Sequence, residues 1–135
     1  MAEEPKPRRE PLPLVTKEAD LLPLALKAAA RAGDPDPELV QHVSGTRQKL
    51  TTLTGSIVHS DDPCYMIAIR GSFSGRRPFP HGPEWDHRRG EIEHWPVKVL
   101  VVEISSGRIV DSGGGRQWPD LAQVGPVVTD RRRSP

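Results

Sequence analysis

The chain has no asparagine and a single cysteine, Cys64, in its 135 residues. Without asparagine there is no N-glycosylation sequon. A lone cysteine cannot close an internal disulfide. Cys64 heads an apolar run, where a buried and inert thiol is expected. Aromatic residues make up 4% and apolar residues 35%, so the expected core is small. No stretch approaches the ~18 consecutive apolar residues that a membrane span requires. Met1 to Leu14 is charged and proline-rich and contains no apolar segment of signal-peptide type, so the expected compartment is the cytoplasm. The formal net charge is +1. With so small a charge there is no global field to steer nucleic acid or an anionic membrane, and neither is expected as a partner.

What is abundant is proline, with 15 residues, and it is concentrated where the chain reads as irregular. Pro5, Pro7, Pro11 and Pro13 remove backbone donors and bias residues 1–15 to a disordered, extended arm. Asp20 to Ala32 is the best helix. Asp20 can cap it, Pro23 falls in the first turn, and Leu22, Ala25, Leu26, Ala29 and Ala32 recur at helical spacing. Gly33 ends it, and Pro35 and Pro37 prevent its restart. Glu38 to Ser44 alternates as a strand, with Leu39 and Val43 on one side and Val40 and His42 on the other. Arg47 to Val58 reads either way, because its threonines favour a strand and Leu50 and Leu53 fit a helical turn.

Ser60-Asp61-Asp62-Pro63 is a turn. Cys64 to Ser74 follows as a strand, with Tyr65, Ile67, Ile69 and Phe73 on one face and Met66, Ala68, Arg70 and Ser72 on the other. Val97 to Ser105 is apolar on both faces, the mark of a central strand. Ser105-Ser106-Gly107 turns the chain into a return strand, Arg108 to Ser112. Gly113-Gly114-Gly115 reads as a flexible turn, the stretch to Val128 as an irregular tail packed on the body, and residues 129–135 as disordered. One domain, residues 16–128, is therefore expected. Its fold class is α+β, with one N-terminal helix on a curved antiparallel sheet of three to four strands. A long loop, residues 75–96, interrupts it, and loops of that length in compact domains tend to be functional or disordered.

The segment Val99-Leu100-Val101-Val102-Glu103-Ile104-Ser105-Ser106-Gly107-Arg108-Ile109-Val110-Asp111 resembles the closing hairpin of PepSY-type domains. In that family a strand ends in an acidic residue, a Ser/Thr-Gly turn follows, and a basic residue opens a short apolar strand. The Ala- and Leu-rich helix suits the same pattern. Ala28 to Pro35 and Val124 to Val128 are also similar to stretches of actinobacterial proteins that pair an Ala-rich helix and Gly-Asp-Pro with a Gly-Pro-Val tail. The resemblance implies a cystatin-like arrangement, a helix laid across a curved antiparallel sheet. It brings no catalytic residues.

No constellation amounts to an active site, and neither a cofactor nor a metal is expected. Gly71-Ser72-Phe73-Ser74-Gly75 has phenylalanine where a hydrolase elbow needs serine. His81, His87 and His94, among carboxylates of the long loop, match no metal-ligand spacing. The same loop sets Phe79, Trp85 and Trp95 beside Arg88 and Arg89, a combination suited to a protein or peptide partner. The leading expectation is a non-enzymatic interaction or regulatory module acting through loop 75–96 or an open sheet edge. The alternative is a small-ligand or enzymatic domain with a pocket between helix and sheet, lined by His42, Arg70 and Asp111. Against that pocket stands the plainer expectation that Arg70 and Asp111 pair as an ordinary strand-face salt bridge. The very apolar strand Val97 to Ile104 leaves room for a homodimer through the sheet.

Overall fold

A computed structural model describes residues 11–55, 58–76 and 92–133. Its core is a five-stranded antiparallel sheet in the order β4-β3-β2-β1-β5, with β1 at Leu39–Thr46, β2 at Pro63–Arg76, β3 at Ile92–Glu103, β4 at Ile109–Gly115 and β5 at Val128–Arg132. The main helix, α1 (Leu21–Arg31), covers one face, and a short helix, α2 (Arg47–Thr52), lies on the other. The fold class is α+β, and the sheet holds one strand more than the sequence reading allows.

The helix forms where its punctuation predicts, but it is rotated from the expected stripe. Leu21, Leu24, Ala25, Ala28 and Ala29 are the buried residues, while Leu22 and Leu26 are only partly covered. Lys27 and Arg31 mark the solvent side, but leucines and alanines fill the rest of the surface, so two adjacent apolar stripes compete to dock. The i, i+3, i+4, i+7, i+8 set starting at Leu21 is the one that docks. Asp20 does not cap α1. Its carboxylate accepts the Thr16 amide and hydroxyl at 3.0 and 2.9 Å and closes the turn ahead of the helix. Gly33, at φ +108°, supplies the left-handed exit.

The two faces of the sheet hold separate apolar clusters. Toward α1 lie Val40, Ile67, Ile69, Phe73, Leu100 and Val102. Val43, Cys64, Met66, Ala68, Val97, Val99 and Val101 face the other way, under Leu50, Leu121 and the partly buried Trp118. β3 is thus apolar on both sides because both sides are covered. Arg47–Thr52 resolves as a helix. Thr46 caps it by accepting the Lys49 amide, and the Thr51 hydroxyl donates back to the Arg47 carbonyl at 2.8 Å, which satisfies a buried threonine within a helical turn.

Two expected irregular regions are strand. β2 runs on to Arg76 and β3 starts at Ile92, with Phe73 opposite Trp95 and Arg76 opposite Ile92, so the hairpin extends well into the stretch read as loop. Most of β5 falls in the tail expected to be disordered, residues 129–135, and it pairs with β1 from Leu39 to His42. Arg131 pairs with the Asp36 carboxylate and Arg133 donates to the Asp36 carbonyl at 3.0 Å, which holds the basic end against the chain. Val15 also belongs to the body. It is buried, and its amide donates to the Gly107 carbonyl at 2.9 Å.

Candidate functional site

The expected pocket under α1 is filled. Leu21, Leu24, Ala25, Ala28 and Ala29 close directly on Val40, Ile67, Ile69, Leu100 and Val102. The three residues assigned to that pocket are not brought together. His42 lies on the α1 face. Arg70 and Asp111 lie on the opposite face, set against Val97 and Val101 respectively, four residues apart along β3. The Arg70–Asp111 ion pair does not form. The Arg70 guanidinium sits instead over the Trp118 ring, 5.1 Å from its centroid.

His42 is buried between two carboxylates. Its Nδ1 lies 2.6 Å from Asp130 Oδ2 and its Nε2 lies 2.7 Å from Glu18 Oε1. The register of β5 shifts between Val40 and Gln41, so that Asp130 is the extra residue of a bulge. A bulge of this kind re-aims a side chain, and here the carboxylate reaches the imidazole. Tyr65 meets the ring edge-on, with centroids 5.8 Å apart. The cluster ties β1, β5 and the Glu18–Asp20 turn into one unit.

Of the proposed partner-binding residues, Phe79, Trp85, Arg88 and Arg89 lie outside the described residues, as do His81 and His87. Trp95 is on β3, packed on the α1 face beside Phe73. Its indole lies over two glycines. A Cβ added at Gly75 would meet the ring at 2.9 Å, and one at Gly114 would meet Nε1 at 2.6 Å. His94 is exposed on β3, and His59 is exposed in the turn before β2. Lys98, half-buried on the α1 face opposite Ile69, is held by burial below the ordinary lysine range. Burial also pushes the Cys64 thiol up, and only partly does the neighbouring Arg47 offset it.

The open space is on the face away from α1. A groove of about 820 Å³ runs over β3 and β4. Its lining includes Val97, Val99 and Val101, each already almost fully buried, with Leu53 and Trp118 beside them. Asp111, Arg116, Gln117, Asp120 and Gln123 bring polar groups to its rim. Gly113 and Gly115 have nothing within 4 Å of where a Cβ would stand, so the floor beside β3 is bare backbone. These glycines, expected as a flexible turn, continue β4 instead. The signal passed over was three glycines continuing an apolar edge strand, where glycine often marks close approach by a ligand or another backbone.

The two sheet edges differ. β5 carries Arg131, Arg132 and a bulge, devices that blunt an edge against further pairing. β4, Ile-Val-Asp-Ser-Gly-Gly-Gly, has one charge and no proline. No helix among the described residues is long and apolar enough to cross a membrane. No protein-family model matches the chain, and no curated protein or solved structure matches it.

Proposed function

We propose that the chain is a non-enzymatic interaction module that receives an extended segment of a partner protein along β4, with loop 75–96 contributing to the contact. The observation that carries this reading is the asymmetry of the sheet edges. β5 is protected by arginines and a bulge, while β4 presents a nearly uncharged backbone row. Strand addition draws its affinity from main-chain hydrogen bonds, which such an edge can supply. The helix across an antiparallel sheet is compatible with the PepSY-like, cystatin-like resemblance, a family in which no catalytic set is expected.

The test is capture from native extract with the wild type, with Ser112→Lys/Gly115→Lys, and with residues 79–93 deleted. The lysines give β4 the charge that β5 already has. Loss of a partner with the lysine variant, together with partner-dependent amide protection along β4, supports strand addition. Capture unaffected by both changes overturns the reading.

A second reading, a small-ligand-binding domain, is favoured by one observation. The groove over β3 and β4, about 820 Å³, brings polar groups of Asp111, Arg116, Gln117, Asp120 and Gln123 together beside bare glycine backbone.

A further inference from the structure

We propose that the chain pairs with a second copy of itself along β4, antiparallel and about a twofold axis at Ser112, so that the two sheets become one. The inference rests on the strand-addition reading and names the partner.

Three observations carry it. The first is the edge. β4 is the last strand on its side of the sheet, and its outer backbone row pairs with no strand among the described residues. The Ser112 amide donates to Asp111 Oδ1 at 2.9 Å, a local bond that a carbonyl of a second strand can replace. The apolar β3 that suggests a dimer in the sequence is already covered on both faces, which leaves the edge as the place for one.

The second is shape. Closed dimers need a surface that complements itself, and β4 has two unlike halves. Ile109, Val110 and Asp111 carry side chains, Gly113, Gly114 and Gly115 carry none, and Ser112 divides them. Pairing centred on Ser112 lays the side-chain half of each copy along the glycine half of the other. Val110 is the extra residue of the bulge against β3. With it passed over, Asp111 comes level with Gly113, Ile109 with Gly114 and Arg108 with Gly115. Gly113 and Gly115 have nothing within 4 Å of an added Cβ, so the incoming side chains find room. Ile109 and Gly114 share the α1 face, where the Trp95 indole covers the glycine. The partly buried Ile109 of one copy thus comes beside the partly buried Trp95 of the other.

The third is charge. Like charges directly opposite each other destabilise a strand pair. Asp111 is the one charge of β4, and this register sets it against glycine rather than against its own copy. A contact made by a seven-residue strand from each copy is small, so the dimer should be reversible and concentration-dependent.

The experiment is analytical ultracentrifugation of the full chain from micromolar to millimolar concentration, with disulfide trapping alongside. The wild type should pass from monomer to dimer. Ser112→Lys sets two ammonium groups against each other at the axis and should weaken association about fivefold or more. Ser112→Cys should cross-link under mild oxidation, because opposed residues lie about 4.5–5.5 Å apart at Cα, within disulfide reach. Gly115→Cys should not, because six residues of strand, about 20 Å, separate its two copies. Cys64 is buried and stays silent in both variants. A chain that remains monomeric at every concentration overturns the dimer. In that case strand addition itself stands if Ser112→Lys/Gly115→Lys still loses a captured partner that protects the β4 amides, and falls if it does not. A dimer indifferent to Ser112→Lys, or one trapped more readily through Gly115→Cys, lies on another surface or in another register and also overturns the proposal.

Discussion

His42 and Asp130 meet at 2.6 Å across β1 and β5, the imidazole buried and the carboxylate nearly so. Glu18 holds the other ring nitrogen at 2.7 Å. His42→Ala removes the common partner of both carboxylates. The Asp130 hydrogen bond is mostly buried and the Glu18 one is largely exposed, so their loss should cost about 1.5–3 kcal/mol. Chemical denaturation should show that loss. Hydrogen exchange should show Val128–Arg132 opening ahead of the central strands. Unchanged protection of β5 would contradict the clasp.

Gly107 and Gly113 should respond oppositely to alanine. Gly107 has φ +70°, and an added Cβ would run into the Val15 backbone. Gly107→Ala should destabilise by about 2 kcal/mol or more, from left-handed strain plus displacement of the Val15 segment. Gly113 has an ordinary φ and empty space around it. Gly113→Ala should be neutral or stabilise by about 0.5 kcal/mol through the unfolded chain. Paired thermal melts check both signs.

Cys64 should resist alkylation in the native protein. It is fully buried, and burial raises its thiol above the usual range, so the reactive thiolate is scarce. The rate with a disulfide reagent should follow global or local opening and rise steeply in mild denaturant. The linked pH effect has a definite sign. A raised thiol leaves stability intact below the ordinary cysteine value and removes it as pH climbs through the folded value. Cys64→Ser should lessen the alkaline loss; equal alkaline midpoints for the two proteins would count against it.

Asp20 should contribute at the acid end. The Thr16 amide and hydroxyl, then the Lys17 amide, hold its carboxylate below the usual range. A depressed carboxylate adds stability above its unfolded value and loses it as pH falls through the folded one. The group is solvent-exposed, so the effect is local and small. Asp20→Asn should therefore narrow the stability difference between neutral and acidic pH, read by parallel urea titrations at the two pH values.

The parts of this fold that were legible in the sequence are those fixed by local chemistry. The alternation of Tyr65, Ile67, Ile69 and Phe73 against Met66, Ala68 and Arg70 matches the two faces of β2. Ser105-Ser106-Gly107 turns the chain where expected, with Gly107 left-handed. What failed depends on distant partners. Arg131 to Arg133 reads as a solvated end unless Asp36, ninety-five residues from Arg131, is known to face it. The broad apolar surface of α1, interrupted only by Lys27 and Arg31, hid which of two adjacent stripes would dock. The groove was illegible for a related reason. Its walls come from α2, β3, β4 and the Trp118 segment, and no one stretch of sequence displays them together.

The two-sided apolar character of β3 has a cost in specification. A strand with one buried face resists a one-residue slip, because slipping would turn every apolar side chain outward. From Val97 to Val102 that safeguard is weak, since four of the six residues are valine and both sheet faces are covered. Alignment must then come from points that accept only one neighbour. Trp95 is such a point, lodged against Gly75 on one flank and Gly114 on the other, and Gly107 under Val15 is a second. On the β4 side a shift would meet Gly113 or Gly115 and be tolerated, but on the β2 side it would bring Ser74 or Arg76 under the indole in place of Gly75. Gly75, Gly107 and one tryptophan thus act as the keying of a strand whose own pattern would let it slide.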